Sequence, residues 1–189
     1  MKSAWIVTVV ALGILSAAPS EAAAQATLTP YAGATFGSDA PTAKPTFGAS
    51  LTFMGDIAGF EIDLGYTPDF FNEDDDDVVL VGDSNVTTFM GSLVVGPRAG
   101  RVRPYGVIGV GLLRSRVDGG DFFDDITTND FGFNAGFGVT GMASERVGFR
   151  GDLRYFRSLQ DPEVGDDDFD VAVGNFDFWR ATGGITFRF

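Results

Sequence analysis

The chain has 189 residues, with 26 glycines, 19 phenylalanines, no cysteine, no histidine and a net charge of −13. The lack of histidine excludes Ser-His and Asp-His hydrolases and His-bearing zinc sites, and the lack of cysteine excludes a disulfide framework. The acidity opposes nucleic acid or an anionic membrane surface as a partner, because both call for basic patches.

Residues 1–26 read as a secretory signal. Lys2 supplies a positive start, Ala4 to Leu15 is apolar, and Pro19 and Ser20 break the run. Ala24 and Ala26 place small side chains at the two positions that signal peptidase reads. The expected cut lies between Ala26 and Thr27, with Ala22-Ala23-Ala24 as a second candidate. The apolar run is shorter than the roughly 18 residues a spanning helix needs. No later run approaches that length, so a helical membrane protein is excluded. The remainder, 27–189, has single-domain length. Its net charge is unchanged, since Lys2 and Glu21 leave together. Abundant glycine opposes helix and abundant Phe favours strands.

Eight strands are predicted, taking alternate residues to opposite faces. The first covers about 28–37 and the second about 45–54, the latter with Phe47, Ala49, Leu51 and Phe53 opposite Thr46, Gly48, Ser50 and Thr52. The third, about 59–68, alternates most clearly: Phe60, Ile62, Leu64 and Tyr66 against Glu61, Asp63, Gly65 and Thr67. The fourth, about 86–96, turns Phe89, Gly91, Leu93 and Val95 outward. The fifth, about 103–114, is apolar on both faces, and Ile108, Val110 and Leu112 are assigned outward. The sixth, about 130–141, sets Phe131, Phe133, Phe137 and Val139 against Gly132, Asn134, Gly136, Gly138 and Thr140. The seventh, about 146–157, sets Val147, Phe149, Leu153 and Tyr155 against Arg150, Asp152 and Arg154. The eighth, about 176–189, carries Trp179, Ala181, Gly183, Ile185, Phe187 and Phe189 on one face and Arg180, Thr182, Gly184, Thr186 and Arg188 on the other. Chain ends usually fray, so an aromatic last residue points to insertion into something apolar.

The connections sort by length. Those at 55–58, 97–102 and 142–145 are short, those at 69–85, 115–129 and 158–175 are long and acidic, and that at 38–44 is intermediate. Short turns on one side and long loops on the other are the arrangement of a membrane barrel with both termini in the periplasm. The expected fold is therefore all-β, an eight-stranded antiparallel up-and-down transmembrane barrel.

The signal, the alternating strands, Arg103-Pro104-Tyr105-Gly106 and the closing Phe187-Arg188-Phe189 together resemble the small eight-stranded outer-membrane barrels of the OmpX, Opa and OmpA type, over essentially the whole exported chain. The resemblance implies a bacterial outer membrane reached through the periplasm. It also implies an assembly signal in the C-terminal strand, here Trp179, Ile185, Phe187 and Phe189. With the chain ending at Phe189, no peptidoglycan-binding domain is expected to follow.

Three groups of residues are candidates for function. Glu61, Asp63, Arg150, Asp152, Arg154, Arg180 and Arg188 are expected inside the barrel, where space is so limited that charges must pair. Acid-rich loops hold Glu73 to Asp77, Asp118, Asp121, Asp124 and Asp125, and Asp161, Glu163, Asp166, Asp167, Asp168 and Asp170. Divalent cations could bind there, bridging to lipopolysaccharide phosphates, although no EF-hand spacing is present. Phe70, Phe71, Phe122, Phe123 and Phe169 lie among these acids, as a clamp for a partner or as part of an upper aromatic girdle. Tyr31, Tyr66, Tyr155 and Trp179 are assigned to the membrane belt. The leading expectation is a non-enzymatic barrel without cofactor, embedded in outer-membrane lipid and lipopolysaccharide, with a structural or surface-interaction role. A narrow ion or small-solute channel is the alternative, and a soluble periplasmic lipocalin-like binder the third.

Overall fold

Eight strands close on themselves in a computed structural model that describes residues 25–37, 40–70, 84–117, 126–159 and 176–189. They are β1 (Gln25–Gly37), β2 (Ala40–Met54), β3 (Ala58–Pro68), β4 (Ser84–Val95), β5 (Val102–Val117), β6 (Ile126–Met142), β7 (Val147–Ser158) and β8 (Asp177–Arg188). Each strand pairs antiparallel with its neighbour in sequence, and β1 with β8 closes the barrel from Thr27↔Arg188 to Phe36↔Trp179. Closure leaves no sheet edge, which a spanning sheet requires because lipid offers no hydrogen bonds. No helix among the described residues is long and apolar enough to cross a membrane. The strands are long enough to do so. β3 has 11 residues, a length of about 36 Å that covers about 25 Å when tilted by about 45°.

The exterior is apolar. Phe47, Leu64, Phe89, Leu93, Ile108, Val110, Leu112, Phe131, Phe137 and Phe149 all stand exposed. A soluble monomer rarely exposes a contiguous apolar surface of this extent. β5 resolves to the expected facing: Ile108 is 60% exposed, whereas Tyr105, Val107 and Leu113 are buried inside.

Four expectations need correction. β2 starts at Ala40 rather than near 45. β5 runs on to Val117 and β6 starts at Ile126, so much of the predicted 115–129 loop is ladder, down to the Arg116↔Thr127 and Val117↔Ile126 rungs. These arms are polar or mixed on both faces, so no apolar alternation marks them as strand. Tyr31 faces the lumen rather than lipid: its hydroxyl donates to the Leu64 carbonyl at 3.2 Å and its ring lies 5.1 Å from the Arg180 guanidinium. Phe70 is neither a clamp nor a girdle residue. It is fully buried in the barrel.

β1 begins at Gln25, with Gln25↔Met54 and Ala26↔Phe53 as its first rungs. A cut after Ala26 would remove these two rungs, and a cut after Ala24 would keep both. Ala24 itself lies outside the described residues, as do Phe71, Phe122, Phe123, Phe169 and every acidic loop residue named above.

Candidate functional site

Alternation on β3, β7 and β8 sends six charged side chains into the lumen. The wall strands β3 and β7 are not hydrogen-bonded neighbours, so contact between them must cross the interior. Arginine has the reach. Glu61 on β3 accepts from Arg150 Nη1 and from Arg154 Nη2, the latter at 2.7 Å. Arg180 on β8 donates to Asp63 Oδ1 at 2.6 Å. Asp152 accepts from Arg150 Nε and Arg154 Nη2, both at 3.1 Å. The lumen thus holds three carboxylates and three guanidiniums, four in one cluster and Asp63 with Arg180 as a second pair, and their charges cancel.

Neutral groups add to the coordination, while Asp63 Oδ2, Arg150 Nη2, Arg154 Nη1 and Arg180 Nε have no hydrogen-bond partner among the described residues. Thr52 donates to Glu61 Oε2 at 2.8 Å, Thr182 to Asp152 Oδ1 at 3.1 Å, and Tyr105 to Asp152 Oδ2 at 2.9 Å. Arg150 Nη1 reaches Ser50 and Thr52, and Arg180 Nη1 reaches Thr88, all at 3.2 Å. Guanidinium groups also lie over rings: Arg150 over Tyr105 at 4.7 Å and Arg180 over Phe156 at 4.6 Å. Burying charges is costly, and only dense pairing of this kind offsets the desolvation. Glycines make the room. A methyl group at Gly65 would strike Arg180 Nη1, and one at Gly138 would strike the Tyr105 hydroxyl.

Toward the loop end lies a second lumen layer that the polar-inward rule does not foresee. Phe70, Val86, Met90, Leu113, Phe156 and Phe178 form one buried apolar cluster, joined by Phe176. Phe156 and Phe178 stack with centroids 5.0 Å apart, and Phe70 meets Phe178 edge-on at 5.3 Å. Both Phe156 and Phe178 share a strand face with arginines, so periodicity alone assigns them correctly inward. Their clustering was hidden because it depends on Phe70, which sits in an acidic stretch.

Of the seven charged residues expected inside and paired, six are there in ion pairs. Arg188 is the exception, lining the turn-end mouth with no carboxylate in ion-pair distance among the described residues. Trp179, Ile185, Phe187 and Phe189 all point outward, and Phe189 is 77% exposed. Trp179 packs on Tyr155 at 5.3 Å, and Tyr155 on Phe133 at 6.3 Å, an aromatic band near the loop end of the exterior. Among the described residues there is no group of three or more potential metal ligands.

A family model described as the outer membrane protein beta-barrel domain matches residues 7–179. No curated protein matches the chain. Among solved structures it is similar to Neisserial surface protein A, NspA, with a TM-score of 0.63 at 15% identity over 87% of this chain and 97% of that one. It is also similar to the N-terminal barrel domain of Pseudomonas aeruginosa OprF (TM-score 0.57, 16% identity, 87% of this chain and 97% of that one). The outer membrane protein OprG of Pseudomonas aeruginosa gives a TM-score of 0.57 at 16% identity, over 89% of this chain and 97% of that one. At these identities the likeness establishes the fold alone. With the family match spanning most of its length and the barrel closed by eight strands, the chain belongs to the outer membrane protein beta-barrel domain family of the bacterial outer membrane.

Proposed function

We propose that this chain is a non-enzymatic outer-membrane barrel with a sealed lumen, acting at the cell surface or in envelope stability through its acidic extracellular loops. The sealed lumen is the observation that carries the reading. Glu61, Asp63, Arg154 and Arg180 are all essentially inaccessible to solvent, and the aromatic layer above them is equally buried. A solute crossing the barrel would have to separate several ion pairs and then part a packed apolar cluster. Function then falls to the surfaces outside the barrel. Short turns face the periplasm and long loops the exterior in this architecture, so the exterior side carries the aspartate runs. Divalent cations held by those carboxylates would bridge to lipopolysaccharide phosphates. The protein inserts into outer-membrane lipid through the assembly machinery, which reads the C-terminal strand.

Planar-bilayer recording of the mature protein tests this reading. The expected trace shows no steps above the bare-membrane baseline. Reproducible steps scaling with the amount of protein would establish the narrow channel instead.

A further inference from the structure

We propose that the periplasmic mouth of the barrel is a binding site for a small phosphate-class oxyanion. The mouth holds a cavity of about 70 Å³ lined by Arg98, Arg101, Arg103, Arg150 and Arg188, with no acidic residue in its wall. In a chain of net charge −13, this is a local reversal of sign. Arg150 is neutralised deeper in the lumen by Glu61 and Asp152. The other four have no carboxylate within ion-pair distance among the described residues.

Their existing partners are neutral. Arg98 Nη2 donates to Gln25 Oε1 at 2.9 Å, a bond kept by a cut after Ala24 and lost with a cut after Ala26. Arg103 donates to the carbonyls of Gly55 and Asp56, at 3.0 and 3.4 Å. Arg98 and Arg188 lie within electrostatic range of Arg103, as does Asp56. Like charges gathered without counterions disfavour the fold unless an anion binds there. Four buried guanidinium nitrogens lack a hydrogen-bond partner among the described residues, and two of them, Arg188 Nε and Arg150 Nη2, belong to residues that line this cavity. Buried donors are nearly always satisfied, so an orphan pair on one cavity needs an explanation.

The chemistry of the wall selects the ligand. Guanidinium forks match the oxygens of phosphate in bidentate fashion. Four uncompensated positive charges favour a multiply charged anion over a carboxylate, which would neutralise only one. Threonine hydroxyls, among them Thr29 and Thr186, ring the inner wall and add neutral donors. The cavity has room for one phosphate group. The ion-paired layer lies directly above, so the anion docks and does not pass. Bound there, it would tie the β4–β5 turn, which carries Arg98 and Arg101, to the β1–β8 seam, where Arg188 lies. The phosphate could be free in the periplasm or belong to a lipid of the inner leaflet.

The test uses the mature protein folded in micelles of a detergent without phosphate. Its urea midpoint is measured against inorganic phosphate, with chloride at matched ionic strength as the reference. A ligand that binds only the folded state raises the midpoint saturably. The expected result is such a rise for the wild type and its loss in Arg103→Gln/Arg188→Gln. Each arginine lost should weaken phosphate binding by about tenfold or more. Arg101→Gln covers the case in which the double variant does not fold, since Arg101 makes no side-chain hydrogen bond among the described residues. Arg114→Gln, exposed at the opposite end of β5, should respond as the wild type does. No response to inorganic phosphate, but a saturable one to short-chain phosphatidic acid that Arg101→Gln weakens, would support the site and assign its phosphate to lipid. A response to neither, or an undiminished response in the cavity variants, would overturn the proposal.

Discussion

Glu61→Ala is expected to destabilise the folded barrel by about 3–5 kcal/mol, the cost of leaving buried charge without its partner. Glu61 is the acceptor shared by Arg150 and Arg154, and its side chain is fully buried. Asp152 cannot take over, because it already accepts from both arginines and from Tyr105 and Thr182. The readout is urea unfolding in lipid vesicles, followed by the mobility of unboiled samples on gels. Asp63 and Arg180 offer a contrast within the same lumen. They form a single pair at 2.6 Å, so removing both together as Asp63→Leu/Arg180→Met should cost far less than Asp63→Leu alone, which strands the arginine. Equal losses for single and double variants would mean that pairing is not what holds these charges.

Phe187→Ala/Phe189→Ala should leave the outer membrane with a small fraction of the wild-type amount, the rest being degraded or held in the periplasm. Both side chains face lipid at the turn end of β8. Phe187 is opposite Val147 on one side and Leu28 on the other, and the Phe189 amide donates to the Ala26 carbonyl at 3.0 Å. The control is Phe149→Ala on the neighbouring strand, 63% exposed and equally lipid-facing. If the C-terminal strand is a recognition signal, the double variant fails to assemble while Phe149→Ala assembles normally. If the aromatics serve only as membrane contacts, both variants lose stability modestly and neither is lost from the membrane. Quantitative fractionation of cells expressing each variant separates the two outcomes.

Strand facing was legible because period two is so regular here. On β3, every even residue from Phe60 to Tyr66 is apolar and every odd one from Glu61 to Thr67 is charged, small or polar. β5 was not legible in the same way, since its inner face is apolar too. Tyr105 and Val107 pack with Met54 and Val94 near the turn end, and Leu113 joins the aromatic layer near the loop end. The charged set was readable as a set, but its partners were not. Which carboxylate meets which arginine depends on barrel curvature and on the reach of side chains across the lumen, neither of which is local. The glycines that clear this space do leave a trace. Arg154 lies opposite Gly136 and Asp152 opposite Gly138 across the β6–β7 ladder, so a large charged residue facing glycine marks a crowded interior. The basic mouth was missed because its arginines come from separate segments, with Arg98, Arg101 and Arg103 in or beside one turn and Arg188 near the end of β8.

Facing also separates a membrane barrel from a soluble one, whose apolar residues would point inward. The chain has no cysteine, so single cysteines on β4 can each carry a fluorophore. Phe89 and Leu93 are exposed on the exterior, whereas Thr88 and Ser92 are buried in the lumen. In vesicles containing lipids with quencher on the acyl chain, labels at 89 and 93 should be strongly quenched and labels at 88 and 92 should not. Quenching at all four positions alike, at none of them, or in the inverse pattern would contradict a lipid-facing apolar exterior around a charged lumen.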